Sequence, residues 1–83
     1  MKYYFHTENG HSHADSKGTE LPNDAQACVE AARILSDMLR DKPEAFCEDD
    51  DFAIRVTDGL GLVLFTLNLS RTVSPALQGK KGR

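Results

Sequence analysis

The chain has 83 residues and a mass of 9.2 kDa, with 40% hydrophobic residues, 28% charged residues and no Trp. That length suits one domain with one modest core, and leaves little material for a deep enzyme cleft as well. Ten basic and 13 acidic residues give a formal charge of -3, and the composition excludes collagen, a coiled coil, a disulfide scaffold and a membrane span.

Residues 2–8, Lys-Tyr-Tyr-Phe-His-Thr-Glu, are rich in strand formers. Asn9-Gly10 follows, and that dipeptide favours a two-residue hairpin turn. This predicts Glu8 opposite His11, Thr7 opposite Ser12, His6 opposite His13 and Phe5 opposite Ala14. Asp15-Ser-Lys-Gly18 then reads as a turn, with Asp first and Gly fourth. Asn23 is a good N-cap, and Gln26 completes a capping box. From Asp24 to about Asp41 the residues Ala27, Cys28, Ala31, Ala32, Ile34, Leu35, Met38 and Leu39 share one arc. Only Val29 is out of place, so this segment is an amphipathic helix, stopped by Pro43. Residues 42–51 read as a solvated acidic linker. Its Glu48-Asp-Asp-Asp51 run lacks the spacing and the Gly of a calcium-binding loop.

Phe52-Ala-Ile-Arg-Val-Thr57 alternates with period two, as a half-buried strand does. Asp58-Gly-Leu-Gly61 is a turn, and Leu62 to Leu69 is the last strand. Pairing Thr57 with Leu62 sets Val56 against Val63, Ile54 against Phe65 and Phe52 against Leu67. Residues 71–83 are expected to form a disordered basic tail on a domain spanning 1–70. The fold class is therefore α+β, in the order ββαββ. One amphipathic helix packs on one face of a four-stranded, mainly antiparallel sheet. The expected core is Tyr3, Phe5, Ala14, Phe52, Ile54, Val56, Val63, Phe65 and Leu67 against the helix. Order 2-1-3-4 would set the two hairpins edge to edge.

Residues 1–70 hold six basic against 13 acidic residues, a balance of -7, which disfavours nucleic acid as a partner. Cys28 and Cys47 form no disulfide framework, and Lys2 is followed by no leader-like apolar run, so the cytoplasm is the expected compartment. The sheet face away from the helix should carry Tyr4, His6, Glu8, His11, His13 and Asp15. Ala53, Arg55, Thr57, Leu62, Leu64 and Thr66 complete it. Two features stand out there. His6, His13 and His11 lie together near carboxylates, a donor set that suits zinc, copper or nickel. Tyr4, His6, Leu62 and Leu64 offer a partly apolar interface.

Tyr4-Phe-His6, Asp15-x-x-Gly18-x-Glu20-Leu-Pro22 and Val56-Thr-Asp58-x-x-Gly61, around an Ala-rich helix, resemble a family of short bacterial proteins. That family is a domain of unknown function, number 6894 in its series. The resemblance covers about residues 2–69. It implies a small α+β bacterial domain, often free-standing, with no assigned activity, substrate or cofactor. Of the histidines, only His6 matches the family pattern. A fainter, fold-level likeness is to the antitoxin half of bacterial toxin–antitoxin pairs, and it carries no function. The expectation is a non-enzymatic interaction module, forming a homodimer or binding a protein partner through the uncovered sheet face or an edge strand, with no membrane and no cofactor. The alternative is a small protein that binds a metal or ligand through the hairpin histidines.

Overall fold

The computed structural model of the chain describes residues 1–49 and 51–78. The elements, in chain order, are β1 (Lys2–Glu8), β2 (Ser12–His13), β3 (Thr19–Glu20), α1 (Asp24–Asp41), α2 (Pro43–Asp49), β4 (Asp51–Thr57), β5 (Val63–Ser70) and α3 (Pro75–Gln78). The sheet runs β2-β1-β4-β5, with β3 also pairing β1, and every pairing is antiparallel. The architecture is α+β. The described residues hold five strands rather than four, and α2 and α3 in addition to α1. The two hairpins do lie edge to edge, through β1 and β4.

Helix α1 starts where the cap places it. The Asn23 side chain accepts the Gln26 N–H at 2.9 Å. Ala27 and Ala31 are fully buried, with Ile34, Leu35 and Met38 half-buried against the same cluster. The small alanines let the helix approach β4 closely. Cys28, expected on this face, is exposed, because the arc in contact with the sheet is narrower than the apolar arc of the sequence. Glu30, Arg33, Asp37 and Arg40 form a ladder of ion pairs on the outer side.

The expected linker is a correction. Pro43 opens helix α2, a position where its missing N–H costs nothing. Phe46 then packs edge-on against buried Phe52, with centroids 5.3 Å apart, so the segment has an apolar anchor despite its acidic composition.

Both hairpin registers differ from expectation. Thr7 faces His13 and Glu8 faces Ser12, one residue from the predicted pairing. The connection is Asn9-Gly10-His11, closed by Asn9 N–H to the His11 carbonyl at 3.2 Å, with Gly10 at φ 92°. Ala14, predicted in the core, lies beyond β2 and is exposed. In the second hairpin Val56 faces Phe65, Ile54 faces Leu67 and Phe52 faces Leu69. That shift of two keeps β4 and residues 65–69 of β5 on their predicted faces. A bulge beside Val56 and Thr57 brings Val63 opposite Thr57, leaving Val63 48% exposed and outside the core. Leu64 packs against the core cluster rather than on the far face. The buried core is Tyr3, Phe5, Ala27, Ala31, Phe52, Ile54 and Val56, with Phe65 and Leu67 half-buried at its margin.

Of the predicted tail, residues 75–78 form one helical turn, and the Arg71 guanidinium donates to the Cys47 carbonyl at 2.7 Å. Residues 79–83 of that prediction lie outside the described residues.

Candidate functional site

Two places stand apart from the core: a polar cavity at one end of the sheet and an apolar groove along its β5 edge. The cavity, about 330 Å³, is lined by Tyr4, His6, Asp15, Thr57 and Asp58 and by the two Asp-x-x-Gly loops. Asp15 builds the first loop. Its Oδ1 accepts the N–H groups of Lys17 and Gly18 at 3.0 and 3.1 Å. Its Oδ2 accepts the Phe5 N–H at 3.1 Å. Between β2 and β3 no strand faces Phe5, and the carboxylate stands in for one. Burial pushes the Asp15 carboxyl upward, but the Phe5, Gly18 and Lys17 amides outweigh it. The result lies below the usual carboxylate range.

Asp58 builds the second loop. Its Oδ1 accepts Leu60 N–H at 2.8 Å and Leu62 N–H at 3.0 Å. The Tyr4 ring lies between the loops. A Cβ at Gly18 would stand 2.9 Å from Tyr4 Cε2, and one at Gly59 would stand 3.8 Å from Cε1.

His6 has both ring nitrogens engaged. The Asp15 N–H donates to Nδ1 at 3.1 Å, which leaves the ring hydrogen on Nε2. Nε2 then donates to Thr57 Oγ1 at 3.0 Å. Thr57 is only 4% exposed, although it faces away from α1, because the loops close over it. The imidazole thus ties β1, β4 and the first loop together.

The predicted histidine cluster does not assemble. His13 sits opposite Thr7, so the one-residue register change puts it on the other face from His6. His11 and His13 lie near each other, 6.4 Å between ring centroids, and both are exposed. Among the described residues no group of three His, Cys, Asp or Glu side chains is placed to hold a metal ion. Of the interface candidates, Tyr4 and His6 are half-buried in this joint, Leu64 packs on the core, and Leu62 is 64% exposed. Glu20 pairs with the N-terminal ammonium of Met1 at 2.8 Å, which holds its carboxyl below the usual range.

The glycines of the two loops separate space from backbone conformation. Of the three, Gly18 and Gly61 have positive φ, +74° and +89°, but nothing lies within 4 Å of a Cβ at Gly61. Gly61→Ala is expected to cost about 1 kcal/mol, the backbone penalty alone. Gly18→Ala adds clashes with the Lys2 stem, 2.8 Å away at Cγ, and with the Tyr4 ring, and should cost about 2 kcal/mol or more. Urea unfolding of both variants checks this, and equal losses would mean that neither Lys2 nor Tyr4 rests on Gly18.

The second place was missed at the level of sequence. Ala32, Leu35, Ser36 and Leu39 of α1 and Leu67, Asn68 and Leu69 of β5 line a groove of about 340 Å³. None of these residues is charged. Among the described residues strand β5 ends the sheet, and none of its eight residues is charged or a proline. Most natural edge strands carry one of those guards. The signal was the uncharged run Leu60–Ser70 in an otherwise charged chain. The opposite edge is guarded: β2 and β3 have two residues each and are parted by the Asp15 loop.

Fold and site together define a small α+β antiparallel-sheet domain, with a polar joint at one end and an open apolar strand at one edge. The chain belongs to the family described as domain of unknown function DUF6894, whose model matches residues 2–70. No curated protein and no solved structure matches it. No helix among the described residues is long and apolar enough to cross a membrane.

Proposed function

We propose that the chain is a non-enzymatic protein-interaction module of the bacterial cytoplasm, and that it receives an extended strand from a protein partner along the outer edge of β5. The observation that carries this reading is the eight-residue outer strand without charge or proline, beside an apolar groove. Main-chain hydrogen bonds would supply affinity, and the groove would take apolar side chains of the added strand. The polar joint supports a binding rather than a catalytic role. His6 is engaged at both nitrogens, and Asp15 is engaged at both oxygens by backbone amides.

A labelled peptide copying residues 62–71, flanked by lysines for solubility, tests this directly. Held at nanomolar concentration while the chain is titrated in, it should show a saturable rise in fluorescence polarisation. Thr66→Glu/Asn68→Glu made in both the chain and the peptide sets carboxylates opposite one another and should abolish that rise. A flat titration by a chain that light scattering shows to be monomeric, or an equal rise with the variant, would remove the edge as the site.

A second reading has the cavity beside Tyr4, His6 and Thr57 in its favour: a small polar ligand held there. It retains His6 and drops His11 and His13 from the expected site.

A further inference from the structure

We infer that the strand received at β5 is the β5 strand of a second copy, paired antiparallel about a two-fold axis at Leu67. This rests on the strand-accepting reading above and names its partner. Charge is the first argument. The full chain carries a formal charge of -3, with the acid excess concentrated in residues 1–70, so two copies meet with least repulsion through a neutral patch. The edge of β5 and the groove beside it form such a patch. The charged groups nearby on α1 are already paired: Arg33 with Glu30 and Asp37, and Arg40 with Asp37.

Register is the second argument. Phe65, Leu67 and Leu69 alternate along the strand opposite Val56, Ile54 and Phe52, all three buried. Antiparallel pairing sets like faces together only when partner numbers share parity. With Leu67 opposite its own copy, Phe65 meets the partner's Leu69, and Thr66 meets the partner's Asn68. The apolar set then maps onto itself completely. A dyad at Thr66 would instead set Leu69 against Val63, which the bulge has turned to the other face. The Leu67 axis stands perpendicular to the sheet, so both α1 helices lie on the same side. The groove walls Ala32, Leu35 and Leu39 then meet their equivalents and are covered. Each copy gives and receives the same surface, as a two-fold interface requires.

The test is absolute molar mass by light scattering across a concentration series of the full chain. The parent should pass from 9.2 kDa towards twice that value. Thr66→Glu/Asn68→Glu sets carboxylates opposite one another across the dyad and should stay monomeric, with an unchanged circular dichroism spectrum. Both positions are exposed, and position 66 faces Arg55 within the chain. Independently, Leu67→Cys in a Cys28→Ser/Cys47→Ser background should cross-link to itself under mild oxidation, since directly opposed Cα atoms lie within disulfide reach. A parent that stays monomeric at every concentration while the peptide still binds would overturn the second copy and leave the strand-accepting edge standing. Loss of peptide binding as well would remove both. A parent dimer that the double substitution leaves intact, without cross-linking at position 67, would place the interface elsewhere.

Discussion

Asp15→Ala is expected to lower the unfolding free energy by about 3 kcal/mol, more than any surface carboxylate would suggest. The side chain holds three backbone amides, those of Phe5, Lys17 and Gly18. Hydrogen bonds to a charged acceptor contribute roughly 1.5–3 kcal/mol each when buried, and less for the exposed Lys17 amide. Asp15→Asn keeps one acceptor oxygen and should lose about half as much. The effect also has a pH signature. The folded carboxyl lies below its ordinary value of 3.8. Its contribution is therefore present above that value and is lost as pH falls through the lower, folded one. Below pH 4 the parent should lose stability faster than Asp15→Ala, so the gap between them narrows with acid. Chemical denaturation from pH 7 down to pH 2 measures it, and a gap that stays constant would separate Asp15 from the acid response.

Ile54→Ala is expected to cost about 4 kcal/mol, the upper part of the range for a buried aliphatic truncation. Ile54 is fully buried and packs in the cluster of Tyr3, Phe5, Ala27, Ala31 and Val56. The alanines facing it are too small to fill the space left behind. Domains of this size hold only about 5–10 kcal/mol in all, so the variant should sit near its unfolding transition at 37 °C. A loss under about 1 kcal/mol, read from urea midpoints at unchanged slope, would mean that Ile54 is not central to the core.

Local signals in the sequence translated well into structure. Asn23 and Pro43 bound α1 because capping and proline geometry act over a few residues. The face assignments of β4 and of Phe65 to Leu69 survived a register shift of two, since strand alternation depends on parity and not on the particular partner, whereas the bulge exchanged the faces of Val63 and Leu64. Register itself was less legible. Asn9-Gly10 favours a two-residue turn, yet the chain adds His11 to the loop, and that single residue separates His13 from His6. Helix α2 was hidden because its acidic residues dominate its composition, while its stability comes from Phe46 against Phe52, a contact across the fold. Asp15 was read as a turn residue, which it is. Its bond to Phe5 ten residues away follows only once β2 and β3 are known to leave a gap along β1. The β5 edge became visible with the strand order, because an uncharged strand matters only when nothing pairs its other side.

The gap that Asp15 fills along β1 has a consequence for assembly. A sheet with two long free edges can add copies at both, and identical units then grow into filaments. Here one margin of the sheet is cut into two-residue pieces by a loop pinned through a carboxylate, and the other runs for eight residues. Growth through the strand addition proposed above would therefore have a single valence, and once it was used the sheet would be terminated at both ends. The Asp15 loop would then act as a chain stopper for the sheet.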